Sequence, residues 1–331
     1  MTTSKMETLA PPPGVVGSLR AGFDTVASHI TAILLPLTLD LFLWLGPRLS
    51  LERLFQPVLM DFQRMAATSN FPAVDIENAV HIYQSRLHEL NLLTILRTFP
   101  IGISSLMAGT QPDTTPFGAP MVLQVSSVPA MFMWLILLVA LGWAGGALYF
   151  RWVAALTAAG LPQSAARHGG PLLQSFLLST IWLVISFALG TPIILMMYVL
   201  FSISPALGQG MMLFLGFLSM WLVVPFFFSP LGIFVRREDA FRSILSGLQL
   251  ARFTLPTSSL FVLSVVLISI GLNLVWSIAP PESWMSLVGI LGHAFISTAL
   301  LAACFIYYRD MTLWLHTVLE RIKAGTITPQ M

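Results

Sequence analysis

The chain has 331 residues, of which 56% are hydrophobic and only 9% charged, with a mean hydropathy of +0.84 and a formal net charge of +2. Soluble domains carry roughly 25% charged residues, so a chain this apolar could not cover its surface in water and reads as an integral membrane protein. Its basic residues are scattered, which excludes a nucleic-acid footprint, and one cysteine, Cys304, excludes an intrachain disulfide.

Residues 1–14 (MTTSKMETLAPPPG) are polar and proline-rich and are expected to form a disordered tail. No cleavable signal is expected, because no small-x-small site follows the first apolar run. Residues 15–49 read as an interfacial amphipathic helix (SLRAGFDTVAS) feeding a first span, Ile30–Leu49. That span contains LLPLTLDLFLWLGPR, with Asp40 near mid-depth.

Residues 50–129 are too long for a structureless loop and are expected to form a helical extracytoplasmic subdomain. Leu51, Leu54, Phe55, Val58, Leu59, Phe62 and Met65 recur at helical spacing, bent by Pro57. A second helix is expected over 74–97. Its polar face carries Glu77, His81, Gln84 and His88. The two histidines lie about 10 Å apart along the axis, too far to share a metal with bonds near 2 Å, so no metal or cofactor is expected. Phe99–Ser127 reads as a docked loop with a short strand near Met121–Ser126.

Five more spans are predicted within 130–310: Ala130–Val153, Leu172–Phe201, Met211–Val235, Thr257–Ile278 and Trp284–Tyr308. Gly142 and Gly146 form a G-x-x-x-G that lets backbones approach closely, within the bundle or between subunits. Pro192, Pro225 and Pro230 interrupt the third and fourth of the six spans. Asp239–Arg252 reads as an amphipathic helix on the cytoplasmic face, with Arg236, Arg237, Arg242 and Arg252 placed to meet lipid headgroups. Residues 311–331 read as a cytoplasmic amphipathic helix and tail. The basic residues of the short loops and termini fall on one side (Lys5, Arg20, Arg151, Arg167, the four arginines of 236–252, Arg309, Arg321, Lys323). Both termini are therefore expected in the cytoplasm, with the chain in the inner (plasma) membrane. The fold class is thus an all-α, six-span membrane protein.

The stretches EDAFRSILSGLQLARFTLPTSSLFVLSVVLI and STALLAACFIYYRDM resemble the membrane domains of the glycerophosphoryl diester phosphodiesterase membrane-domain type and related six-span bacterial proteins. Ala240, Ser243 or Ser246, Leu248, Tyr307, Tyr308, Arg309 and Asp310 carry the likeness. The resemblance implies the architecture and not an activity: the phosphodiesterase barrel is absent, and no catalytic residue carries over.

The phosphate-binding and nucleophile-elbow motifs are missing from the sequence, as is H-E-x-x-H. The intramembrane polar residues Asp40, Asn273 and His293 form the candidate site, since an ionisable group at this depth is a functional hypothesis by default. Asp40 can be satisfied by a Ser or Thr hydroxyl, by a backbone group freed at Pro36, by Asn273 or by His293. Three functions stay open: a structural or accessory component docking other membrane subunits, a lipid or small-molecule transporter, and a membrane enzyme acting on lipid. Membrane lipids and possible other membrane subunits are the expected partners.

Overall fold

The computed structural model describes residues 11–67, 73–109, 114–157 and 170–323. Most of the expected disordered tail, Arg167 and the last residues of the chain lie outside them. Within the described residues ten helices follow in chain order: α1 (Val15–Ser28), α2 (Leu34–Leu45), α3 (Glu52–Ala67), α4 (Ala73–Glu89), α5 (Val128–Thr157), α6 (Pro171–Ile203), α7 (Pro205–Phe227), α8 (Leu231–Val235), α9 (Ala240–Trp276) and α10 (Ser286–Lys323). Four of them, α5, α6, α9 and α10, are long and apolar enough to cross a membrane, and α1 with the Ile30–Leu45 segment reaches that mark only as a bent pair. The chain is therefore a helical protein with four or five candidate membrane spans.

Several boundaries differ from the sequence expectation. The second outer helix, expected over 74–97, ends at Glu89, and a 3-10 turn follows at Leu92–Leu96. The first expected span is helical only to Leu45 and then enters a strand, β1 (Arg48–Ser50). The fourth divides at residues 228–230 into α7 and α8, where Pro230 cannot donate to a continuing ladder. The amphipathic helices expected before the fifth span and after the sixth are not separate; they continue into α9 and α10.

The residues group into two compact units. One comprises 31–149 and 270–297. Here β1 pairs in parallel with β2 (Val122–Gln124), Arg48 opposite Val122 and Ser50 opposite Gln124. The β2 strand falls within the 121–126 stretch expected as a short strand, whereas three-residue β1 carries no period of its own. Buried Asn91 completes the joint, its Oδ1 accepting from the amides of Leu49 and Leu93, both at 3.0 Å. Nearby, Trp44 donates to Pro281 O at 2.6 Å and meets Trp284 edge-on.

The other unit comprises 1–30, 150–269 and 298–331. Its core is aromatic and small-residue packing. Phe261 stacks on Tyr307 at 4.0 Å, and Phe150 packs on Phe234 and Phe305. A Cβ on Gly22 would lie 2.6 Å from Ala303 N, so α1 and α10 approach to backbone contact. Helix α9 is kinked at Thr254 (φ −125°, ψ 23°), two residues before Pro256. Hydroxyls occupy the break: Thr254 donates to Leu250 O and meets Ser258, which meets Tyr307. Cys304 is a buried free thiol. In contrast, α6 buries only Gln174, Ser175, Leu178 and Ser179, all in its first turns. From there to Ile203 it exposes apolar side chains, with α7 alongside it.

Candidate functional site: a polar anchor for a buried loop

The three intramembrane polar residues singled out in the sequence all lie in the unit of residues 31–149 and 270–297. There they converge on one irregular segment, residues 97–109. Asp40, on α2, is fully buried. Its Oδ1 accepts from Ser105 Oγ at 2.5 Å and Met107 N at 3.0 Å, and its Oδ2 from Leu106 N at 3.1 Å. All three partners donate, which suits the acceptor-only character of a carboxylate. Ser105 Oγ in turn accepts from Ala108 N. The first amides of the 3-10 turn Met107–Gly109 have no partner within the turn. Asp40 therefore caps that turn from a distant helix, together with the local cap Ser105.

His293, on α10, holds the preceding residue. Its Nε2 is 3.0 Å from Ser104 Oγ and its Nδ1 is 2.7 Å from Asn273 Oδ1. Because Oδ1 can only accept, Nδ1 carries a proton, and Nε2 accepts from Ser104 in the neutral ring. Asp40 and His293 thus share no hydrogen bond; they grip consecutive serines. Asn273 pairs with His293 and not with Asp40. The backbone group freed at Pro36 is not Asp40's partner either.

Gly142 and Gly146 complete the seat. A Cβ at 146 would lie 2.6 Å from Gly102 Cα and 2.9 Å from Ile101 C, and one at 142 would lie 2.8 Å from Leu96 O. The G-x-x-x-G face of α5 is filled by the chain's own loop. Gly145, which sequence reasoning passed over, faces Ile103 in the same way. Ser104 and Ser105 were also missed. The signal was the pattern I-G-I-S-S-L-M, apolar residues alternating with small ones. Ile101, Ile103, Leu106 and Met107 are buried. Irregular backbone at the depth of apolar helices is tolerated only where protein satisfies its polar groups, and this cluster does so.

Ser104, His293 and Asn273 also have the connectivity of a nucleophile, base and orienting residue. However, the nearby amides of Leu106 and Met107 are held by Asp40 and are not free to stabilise an oxyanion.

The headgroup arginines lie in the other unit and divide. Arg236 and Arg242 line a cleft of about 340 Å³ with Glu238, Ser246 and Tyr308. Arg237, in the left-handed backbone region (φ 54°), and Arg252, 6.0 Å over the Phe253 ring, are not part of it. Glu238 accepts from Ser246 Oγ at 2.6 Å and pairs with Arg236 at 3.2 Å. Burial pushes its carboxyl above the usual range, against the lowering effects of Ser246 and Arg236. Between α3 and α4, His88 lies 3.9 Å from Glu52 in a cleft that also includes His81. Among the described residues, no group of three or more His, Cys, Asp or Glu side chains is placed to hold a metal ion.

No family model, curated protein or solved structure matches the chain.

Proposed function

We propose that the protein is a non-catalytic, multi-pass component of an inner-membrane assembly. In this reading it has six spans, both termini in the cytoplasm and residues 50–129 as an extracytoplasmic helical subdomain that docks partner chains. One observation carries it: Asp40, Asn273 and His293 are all engaged in fixing the chain's own loop. A transporter's relay needs a polar group that exchanges partners. A carboxylate with three fixed donors serves a rigid scaffold better. The exposed apolar side chains Val58, Met60, Phe62 and Met65 on α3 offer a surface to dock through.

Purification in mild detergent tests this. The expected result is one stoichiometric co-purifying chain, lost in a Phe62→Glu/Met65→Glu variant that keeps its thermal transition. A protein that always runs as a lone monomer overturns the reading. A transport activity abolished by Asp40→Asn in a folded variant would favour the permease instead.

The Ser104–His293–Asn273 chain favours a second reading, serine-type ester chemistry on a lipid. A fluorophosphonate probe discriminates. Covalent labelling of Ser104 that disappears in His293→Gln supports the enzyme, and an unlabelled Ser104 supports the scaffold.

A further inference from the structure

The cleft beside Glu238 has no role in the anchor of the 97–109 loop, and its wall has two characters. One part is charged and hydroxylic: Arg236, Glu238, Arg242, Ser246 and Tyr308. The other is apolar: Leu245, Leu250 and Phe253 from α9, with Leu315 and Leu319 from α10. His316 is the remaining titratable side chain on it. A polar pole joined to an apolar wall is what a phospholipid requires, with headgroup at one end and glycerol and acyl carbons along the other.

The charges narrow the headgroup. Arg236 Nη1 lies 3.2 Å from Glu238 Oε1, and Arg242 Nε lies 3.4 Å from Asp239 Oδ2. Each arginine is matched by a carboxylate, so the pairs leave no net charge. A purely anionic headgroup would bring its phosphate toward Glu238 without compensation, in a partly desolvated place where like charges repel strongly. A headgroup bearing both signs meets complementary groups: phosphate on the guanidinium side, cation on Glu238. The acceptors at the cation end are a carboxylate and two hydroxyls, Ser246 Oγ and Tyr308 OH, which lie 3.1 Å apart. Such acceptors suit a primary ammonium with three N–H donors. A quaternary ammonium cannot donate and would need an aromatic cage.

Gly232 preserves this end of the cleft. A Cβ there would lie 2.6 Å from Glu238 Oε2 and 3.0 Å from Tyr308 OH.

We propose that this cleft is a specific site for a zwitterionic aminophospholipid of the phosphatidylethanolamine class. The phosphate lies on Arg242 and Arg236, the ammonium on Glu238, and the glycerol and proximal acyl carbons against Phe253, Leu315 and Leu319. Burial of Glu238 holds its carboxyl above the ordinary range, and an arriving ammonium relieves that cost.

The test is lipid binding to the full-length protein in detergent, read by native mass spectrometry and by the thermal transition. Phosphatidylethanolamine, phosphatidylcholine and phosphatidylglycerol are titrated separately. Phosphatidylethanolamine is expected to bind about tenfold tighter than the other two, the gain of one charge-assisted hydrogen bond. Glu238→Gln should erase that preference, bringing phosphatidylethanolamine and phosphatidylcholine to about the same affinity. Arg242→Gln, a change at an exposed rim that leaves the fold intact, should weaken all three lipids and serves if Glu238→Gln does not fold. Equal or tighter binding of phosphatidylglycerol overturns the proposal. So does a preference that survives Glu238→Gln, or lipid binding that Arg242→Gln leaves undiminished. Glycerophosphoethanolamine, the headgroup without acyl chains, should bind far more weakly than the lipid; equal binding overturns the lipid assignment.

Discussion

Asp40 is fully buried and Glu238 half-buried, and the two carboxyl groups place opposite demands on their surroundings. Asp40 satisfies three donors of a distant turn, so Asp40→Ala leaves the amides of Leu106 and Met107 buried without partners. Each such group costs roughly 1–3 kcal/mol, and the variant should lose about 3 kcal/mol of unfolding free energy in detergent. Asp40→Asn keeps one acceptor oxygen and should lose less. Glu238 titrates. Folded, it keeps its proton to a higher pH than in the unfolded chain, where its ordinary value is 4.5. Above 4.5 the unfolded state therefore binds fewer protons, and this group's contribution falls as pH rises toward its folded value. Arg236, Asp239 and Arg242 face Glu238 from its own stretch, and Tyr308 faces it from α10. Subtracting the Glu238→Gln stability curve from the wild-type curve isolates its share. The difference should be flat below pH 4.5 and decline above it; a rising difference would refute the assignment.

At the scale of elements, the 97–109 segment behaves as an inserted part of the helical core. Gly146→Ala should push it off α5 and cost about 1–3 kcal/mol, as overpacking does. Hydrogen exchange of the amides from Ile101 to Met107 should speed up with it. Gly190→Ala is the control. Nothing lies within 4 Å of that position on α6, so the change should be neutral or stabilise by up to about 1 kcal/mol. The long helices were legible because an uncharged apolar run of span length suits little besides a helix in lipid. The α3 helix was legible from its 3.6 period, and it runs unbroken through Pro57. The loop's seat was not. Hydropathy reports that Ile101 and Leu106 are apolar, but not that an irregular segment returns among helices to bury them. Likewise Asp40 was visible as an anomaly, while nothing in the sequence ties it to its partners, two backbone amides and a serine 65 to 67 residues on. The G-x-x-x-G was visible, but what fills it was not, because a close approach serves a loop as well as a helix.

For the whole molecule, the uneven surface is the leading fact. From His168 to Val235 the chain has no Asp, Glu, Lys or Arg. Helix α6, at 33 residues, is about 50 Å long against a hydrocarbon layer of roughly 30 Å. A tilt within the usual range does not absorb that excess. The α6–α7 hairpin thus exposes a long apolar surface among the described residues. Its thermal stability should therefore respond to bilayer thickness. Reconstitution in longer-chain lipids should raise the unfolding temperature relative to short-chain lipids, and an unchanged temperature would show that the hairpin is already covered.

The buried thiol of Cys304 bears on how this topology can be mapped. As the sole sulfhydryl, shielded within its unit, it leaves the native chain blank toward membrane-impermeant maleimides. Single cysteines introduced into the wild-type background then report sidedness directly, without a cysteine-free parent. On the proposed topology, Ser204→Cys at the α6–α7 turn should label from outside intact cells, and Thr317→Cys on the last helix only after the cells are opened.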